Sequence, residues 1–105
     1  MDKLKLVWTS TALRERNYIF EFWNKHNQNL DYSRKLNKRI KGRLEHLKSH
    51  PLMGTQTTFK NTRTISLGHY SLFYQIIETK IIITAFWDNR QNPQTLLKFL
   101  INKET

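Results

Sequence analysis

Arg90 lies in a polar segment that directly follows the most apolar run of the chain. Residues 81–87 read IIITAFW, and this run of β-branched and aromatic side chains predicts a strand buried on both faces. Residues 88–93 follow as DNRQNP. A guanidinium held rigidly at the end of a buried strand suits an anion, so Arg90 is a candidate for contact with nucleic acid or a target protein. The alternative is a structural arginine that pairs with Asp88 or caps the last helix.

Three more residues are candidates for chemistry on an anion. Lys60 and Arg63 line a phosphate-binding groove in one interpretation and a solvated strand edge in the other, where lysine discourages edge pairing. Histidine changes charge near neutral pH, so His69 and His50 are candidates for proton transfer. Their alternative roles are a turn residue and a helix terminator. No grouping of His, Asp and Glu has metal-ligand spacing, so neither a metal nor another cofactor is expected.

Residues 30–49 carry half of the net charge of the chain. This segment holds seven basic residues against Asp31 and Glu45. Such a density favours a surface that binds RNA or an acidic protein, whereas the alternative is the solvated face of an amphipathic helix. The basic residues are Arg34, Lys35, Lys38, Arg39, Lys41, Arg43 and Lys48. The residues predicted to bind RNA or an acidic protein are Arg34, Lys38, Lys41, Arg43 and Lys48.

The whole chain is strongly basic and contains no cysteine. Its 105 residues include 18 Lys and Arg against 8 Asp and Glu, a net charge of +10. This balance predicts nucleic acid, a ribosome or an acidic protein as partner, and the alternative is a generic basic surface. The lack of cysteine excludes disulfides and cysteine-based catalysis or zinc sites. No apolar run approaches the ~20 residues of a membrane span, and no signal peptide is visible, so we expect a cytoplasmic protein without membrane contact.

The apolar periodicity predicts an α+β fold in a single domain over residues 1–105. A strand over residues 3–8 precedes a helix that Thr9 or Ser10 caps and that runs to about His26. Pro51 stops a second helix over residues 30–49, and the pair forms an αα-hairpin. Strands over residues 63–67, 70–77 and 81–87 make an antiparallel three-strand meander. Pro93 suits the first turn of a short C-terminal helix over residues 94–100.

The predicted elements separate core positions from open ones. The helical stripes expected in the core are Ala12, Ile19, Phe22 and Trp23, then Leu36, Ile40, Leu44 and Leu47. In the strand over residues 70–77, the face expected under the helices carries Tyr70, Leu72, Tyr74 and Ile76, and the open face carries Ser71, Phe73, Gln75 and Ile77. Phe73, Phe86 and Trp87 are predicted to be core residues, and base stacking is the alternative for them.

Short motifs occur along the chain in a definite order. They are VWT at 7–9 followed by Ala12, LKSHPLMG at 47–54, the strand at 63–67 with GHYSLFYQI at 68–76, and RQNP at 90–93. Together with the order of strand, two helices, meander and C-terminal helix, this set resembles the RelE/ParE family of bacterial type II toxin–antitoxin systems. The resemblance covers nearly the whole chain.

The resemblance implies a small toxin that halts growth and can stabilise plasmids. A cognate antitoxin, usually encoded beside the toxin, binds and neutralises it in a hetero-oligomer. RelE-like toxins cut mRNA in the ribosomal decoding site, whereas ParE-like toxins poison DNA gyrase. The target implied for this chain is therefore DNA gyrase or ribosome-bound mRNA.

The residues that RelE-like toxins use for cleavage are incompletely matched. Cutting RNA requires a base, an acid and cations that stabilise the phosphorane. RelE-like toxins place an arginine directly after the tyrosine of the central strand, where this chain has Ser71. Of the lysines before the hairpin, only Lys60 has a rough counterpart. Many members carry a tyrosine or a histidine in the C-terminal segment. In this chain no tyrosine follows Tyr74, and no histidine follows His69.

The closing motif favours the ParE branch. That branch often ends in a histidine-x-arginine-x-aspartate-proline pattern. Arg90 and Pro93 fit it, while Asp88 and Asn92 replace the histidine and the aspartate. The leading hypothesis is thus a RelE/ParE toxin with a slight preference for gyrase. Its catalytic or target-contacting residues are predicted to be Arg90, Lys60, Arg63 and His69. The alternative is a non-toxic basic RNA-binding module.

Overall fold

The two helices begin and end where local chemistry favours it. In the computed structural model, which describes residues 4–91, helix α1 spans Ser10–Asn27 and helix α2 spans Asp31–Ser49. Thr9 caps α1, because its hydroxyl accepts a hydrogen bond of 3.1 Å from the amide of Ala12. Gln28 adopts a left-handed conformation with φ 57° just after α1. The short link between the helices confirms the predicted αα-hairpin.

The strands of residues 4–91 form one mixed sheet. They are β1 Lys5–Trp8, β2 Thr55–Gln56, β3 Arg63–Leu67, β4 Tyr70–Ile77 and β5 Lys80–Asp88. Their order across the sheet is β1-β5-β4-β3-β2. The antiparallel meander of β3, β4 and β5 confirms the prediction, and β1 lies parallel to β5.

A bulge at Thr84 changes the alternation along β5. Phe73 and Tyr74 are adjacent in β4, yet their partners in β5 lie on either side of Thr84. The Thr84 hydroxyl donates a 3.3 Å hydrogen bond to the carbonyl of Phe73. Because of the extra residue, Ile83 and Phe86 lie on the same face of the sheet despite an odd separation. Both can therefore join the core under the helices.

The main core lies between the helical hairpin and one face of the sheet. Its fully buried members include Leu36, Ile40, Leu47, Tyr70, Leu72, Tyr74, Ile81, Ile83 and Phe86. Phe73, Ala85 and Trp87 are buried on the other face, with Phe59 against them. Strand β5 is thus buried on both faces, as predicted, and Phe73, Phe86 and Trp87 are core residues.

Two local features differ from the sequence prediction. No predicted element covers residues 55–56, but they pair with β3 as β2, since the turn after them folds the chain back along the sheet edge. Phe22 was expected in the core, but 49% of it is exposed, because its position on α1 lies beyond the edge of the sheet-facing stripe. The predicted helix over 94–100 lies outside the described residues. Within residues 4–91, no helix has the length and hydrophobicity needed to cross a membrane.

Candidate functional site

Asp88 and Arg90 form a bidentate ion pair at the end of β5. The Arg90 Nε donates to Oδ1 of Asp88 at 2.9 Å, and Nη2 donates to Oδ2 at 2.8 Å. The backbone amide of Arg90 donates to the same Oδ1 at 2.9 Å. We call this arrangement the Asp88–Arg90 clamp. The structural alternative for Arg90, pairing with Asp88, is therefore present, yet the Arg90 side chain remains 49% exposed and free to meet a partner as well.

The clamp keeps both groups charged at neutral pH. Hydrogen bonds from Arg90 lower the pKa of the Asp88 carboxyl, and partial burial opposes this only in part. The same hydrogen bonds raise the pKa of the Arg90 guanidinium above its already high value. Neither side chain is thus a proton donor or acceptor near pH 7, and the clamp suits binding and charge stabilisation.

Aromatic rings lie beside the guanidinium of Arg90. Its central carbon is 5.9 Å from the ring centre of Trp23 and 6.0 Å from that of Tyr70, at the outer limit of a cation–π contact. The Trp23 indole N–H donates a 2.8 Å hydrogen bond to the Tyr70 hydroxyl, and the Tyr32 ring packs 4.7 Å from Trp23. This aromatic cluster of Trp23, Tyr32 and Tyr70 joins both helices to the end of the sheet.

Tyr70 is held in its protonated form. Burial raises the pKa of its phenol to about 12, a hydrogen bond with Tyr32 adds to the rise, and the N–H of Trp23 opposes it. A phenol in this state is a poor base at neutral pH. Its hydroxyl already accepts the hydrogen bond from Trp23, so its role here is to hold the cluster together.

Two apolar concavities flank the clamp between α1 and β5. The first has a volume of about 290 Å³ and is lined by Tyr18, Ile19, Phe22, Trp23, Tyr70, Asp88, Arg90 and Gln91. The second, of about 260 Å³, shares Tyr18, Ile19, Asp88 and Gln91 and adds Thr11, Arg14, Glu15, Phe86 and Trp87. Tyr18 is 65% exposed and Phe22 49%. Exposed aromatics beside a charged rim are typical of protein-binding surfaces.

His69 and Ser71 lie at the same end of the sheet as the clamp. His69 is exposed in the β3–β4 turn, where its carbonyl accepts a 2.8 Å hydrogen bond from the amide of Asn89. The Ser71 hydroxyl donates to Oδ1 of Asn89 at 2.7 Å. The structure therefore brings His69 near Arg90, and Ser71 helps to fix the loop that carries the clamp.

Lys60 and Arg63 lie at the opposite end of the sheet. Arg63 is paired with Tyr74 of β4, whereas Asp88 is paired with Tyr70 of the same strand. The backbones of Arg63 and Asp88 are therefore four β4 residues apart along the strand direction. At 3.3 Å per residue this is roughly 13 Å. The Arg63 guanidinium donates to the carbonyls of Leu52 and Gly54, at 3.3 and 2.7 Å, and so ties down the loop before β2.

Lys60 is exposed at the rim of a polar concavity of about 420 Å³. The turn of residues 57–62 forms most of this concavity, and Gln56, Arg63 and Ile76 complete it. The structure thus divides the four predicted catalytic residues into two pairs, one at each end of the sheet. Their functional roles remain predictions.

The basic residues of α2 lie on two sides of the helix. Helical spacing places one set in a single exposed row, which we call the outer row: Arg34, Lys38, Lys41, Glu45 and Lys48. Lys48 pairs with Glu45 at 2.7 Å within it. Arg43 does not belong to this row, because it lies beside Arg39 on the flank of α2 that faces Ser66 and Leu67 of β3.

Sequence reasoning missed the aromatic side of the site. Trp23 and Tyr70 are 47 residues apart, and neither has a local signal for their hydrogen bond. Arg39 was likewise left out of the predicted binding set, although its spacing of four from Arg43 indicates a shared helix face. Among the described residues, no group of three or more His, Asp or Glu is placed to hold a metal ion.

The comparison with family models assigns the chain to the class of small toxins from toxin–antitoxin systems. The model of the family "ParE toxin of type II toxin-antitoxin system, parDE" matches residues 6–93. The chain belongs to this family, and the predicted RelE/ParE toxin class is confirmed. Among curated proteins, none matches this chain significantly.

Solved structures of related systems share the fold. A chain of the chromosomal ParDE system from P. aeruginosa is 17% identical with a TM-score of 0.70, over 82% of this chain and 96% of that one. The toxin–antitoxin complex RelBE2 from Mycobacterium tuberculosis gives 20% identity and a TM-score of 0.61, over 83% and 99%. A mutant of E. coli RelE in the free state is 13% identical with a TM-score of 0.69, over 97% of this chain and 98% of that one.

Proposed function

We propose that this toxin arrests growth by binding DNA gyrase and that it does not cut RNA. The observation that carries the proposal is the separation of the predicted catalytic residues. Cleavage by a 2′-hydroxyl needs a base, an acid and cations around one phosphorus atom. Arg90 and His69 lie roughly 13 Å along the sheet from Arg63 and Lys60. The two guanidinium groups are also engaged at their own ends of the sheet, Arg63 by the carbonyls of Leu52 and Gly54 and Arg90 by Asp88. We infer that the two pairs do not converge on one phosphate.

The groups beside Arg90 also favour binding over proton transfer. Arg90 and Asp88 stay charged, and Tyr70 stays protonated because burial raises its pKa to about 12. In this proposal the half-exposed guanidinium and the concavities along α1 contact the surface of the target. Exposed Tyr18 and Phe22 supply the apolar part of that contact.

A cognate antitoxin is the second partner. The similar structures from P. aeruginosa and M. tuberculosis are parts of toxin–antitoxin systems, which supports a protein partner for this family member. We propose that the antitoxin is acidic and meets the outer row of α2, where Arg34, Lys38 and Lys41 are exposed and without an ion pair in residues 4–91. Because gyrase acts on the chromosome, the toxin works in the cytoplasm.

A paired experiment tests the target. The purified chain is added to DNA gyrase in a supercoiling assay and, separately, to translating ribosomes whose mRNA ends are then mapped. Inhibited supercoiling with intact mRNA is expected. Cuts in the mRNA at the ribosomal decoding site, with supercoiling unaffected, would reject the gyrase proposal. Harmless expression of the chain without its antitoxin would favour the RNA-binding module instead.

Variants at the clamp test the contribution of Arg90. Arg90→Ala is expected to lower inhibition of gyrase at least tenfold while the far-ultraviolet circular dichroism stays unchanged. Lys25→Ala removes an exposed positive charge from the last turn of α1 and is the matched control, expected to change inhibition less than twofold. Full toxicity of a folded Arg90→Ala chain would remove Arg90 from the mechanism.

A further inference from the structure

A small basic concavity lies between the flank of α2 and the end of β3. It has a volume of about 320 Å³ and is lined by Arg39, Gly42, Arg43, Ser66 and Leu67. We propose that this concavity binds a backbone phosphate of nucleic acid. It is separate from the Asp88–Arg90 clamp and shares no lining residue with the concavities along α1.

Arg43 supplies a buried donor that lacks an acceptor. Its Nε has less than 1 Å² of accessible surface and makes no hydrogen bond. Buried N–H groups in folded proteins are nearly always paired, because an unpaired one loses its hydration without compensation. The Arg43 side chain is only half-buried and lines the concavity, so a rotation of this side chain would let the donor meet an oxygen of a bound anion there.

Arg39 adds a second guanidinium on the same side. It is four residues from Arg43 and therefore one helical turn away. Its guanidinium lies against the β3–β4 turn, since a Cβ added to Gly68 would be 3.3 Å from Nη2 of Arg39. No carboxylate among residues 4–91 pairs with either arginine. Two forked donors around one concavity suit the oxygens of a phosphate.

Gly42 leaves the backbone open between the two arginines. A glycine inside a helix is unfavourable relative to alanine. Packing within the described chain does not require it, because a Cβ added at Gly42 would meet nothing within 4 Å. The open position lets a ligand approach the helix backbone closely, which is a common reason for glycine at binding sites.

The surrounding charge favours nucleic acid over an acidic peptide. The outer row adds Arg34, Lys38 and Lys41 on the other side of the same helix, so positive potential surrounds α2. A polyanion gains from this extended field as well as from the concavity, whereas a single carboxylate gains mainly from the concavity. The chain as a whole carries a net charge of +10.

Binding to a short fluorescent DNA duplex across a salt series tests the proposal. Neither gyrase nor a ribosome is present, so the result is independent of the proposed target. Arg43→Gln is expected to lower affinity about tenfold and to reduce the slope of log K against log salt by about one, the effect of one lost phosphate contact. Arg39→Gln is expected to behave similarly.

The matched control is Lys25→Gln, which removes one positive charge from the exposed last turn of α1, away from α2. This variant is expected to lower the affinity for the duplex by no more than about twofold, because it loses only diffuse electrostatic attraction. Equal losses of affinity for Lys25→Gln and Arg43→Gln would show a general positive field without a specific site and would overturn the proposal. Arg43→Lys retains the charge but lacks the Nε donor, so it is expected to lose affinity with the salt slope unchanged.

Gly42→Ala separates binding from stability. The melting temperature is expected to rise by about 4 °C, because a helical glycine is replaced without a clash. Affinity for the duplex is expected to fall about threefold, since the added methyl group takes up space inside the concavity that Gly42 lines. A stabilised variant with unchanged affinity would contradict the placement of the phosphate. A polyglutamate peptide that binds more tightly than DNA, with the same dependence on Arg43, would assign the site to an acidic protein and overturn the proposal.

Discussion

Asp88 orients the one arginine that the sequence places after the buried strand. Asp88→Asn retains the shape of the side chain but removes the carboxylate that accepts three hydrogen bonds from Arg90. Because the pair is partly exposed, the melting temperature at pH 7 is expected to fall by only a few degrees.

The pH dependence has a definite sign. The pKa of Asp88 is lowered in the folded chain, so its stabilising contribution is complete above the ~3.9 of an unfolded aspartate. The contribution is lost as the pH falls through the lowered value. Thermal melts from pH 7 down to pH 2 should therefore show the wild type and Asp88→Asn converging only at the acid end. A difference that is already absent at pH 6 would contradict the clamp.

Tyr74 holds the loop before β2 through a single hydroxyl. That hydroxyl donates to the carbonyl of Pro51 at 2.7 Å and accepts from the amide of Gly54 at 3.0 Å. Tyr74→Phe leaves both backbone groups without this partner and is expected to destabilise the chain by about 1–3 kcal/mol. Urea unfolding measures the change. Tyr18→Phe, at a position 65% exposed, removes the same hydroxyl and should change stability by less than about 0.5 kcal/mol.

At the scale of elements, two glycines should respond in opposite ways to the same substitution. Gly42 lies inside α2 and an added Cβ meets open space, so Gly42→Ala should stabilise the chain by about 1 kcal/mol. Gly68 has φ +71°, which L residues adopt at a cost, so Gly68→Ala should destabilise it by about 1–2 kcal/mol. The two variants differ from wild type by the same methyl group and control for each other in urea unfolding. A shift in the same direction for both would contradict the backbone argument.

The sequence predicted those elements whose signals are local. The stripe of Leu36, Ile40 and Leu47 marks α2, and alternation marks the meander, because each pattern is set by neighbours within a few residues. The parallel pairing of β1 with β5 joins residues about 75 positions apart and leaves no local signal. The bulge at Thr84 was also invisible, since it depends on register against β4.

At the scale of the whole molecule, the candidate site could be predicted only in part. Arg90 was found because its strand is unmistakable, and its partner Asp88 was found because it lies two residues away. Trp23 and Tyr70 were missed, because only the folded sheet brings α1 over the end of β4. The sequence predicted that α2 is rich in basic residues. Only the folded structure shows that Arg39 and Arg43 lie on the side of α2 that faces β3.

The location of the positive charges that give the chain its net charge of +10 should control how fast an acidic antitoxin associates. Charges that lie at the docking surface steer encounter, so a variant with Arg34, Lys38 and Lys41 all changed to Gln is expected to associate at least tenfold more slowly at low salt. The dissociation rate should change little, because these side chains are exposed. Surface binding kinetics with the cognate antitoxin measure both rates.

A second triple variant shows whether location or total charge is responsible. Lys5, Lys25 and Lys80 are exposed on β1, α1 and β5, and changing them to Gln lowers the net charge by the same amount. This variant should lose no more than about threefold in association rate, and both variants should approach the wild type at high salt, where the Debye length is only a few ångströms. Equal slowing of both variants would mean that total charge attracts the antitoxin and that the outer row is not its docking surface.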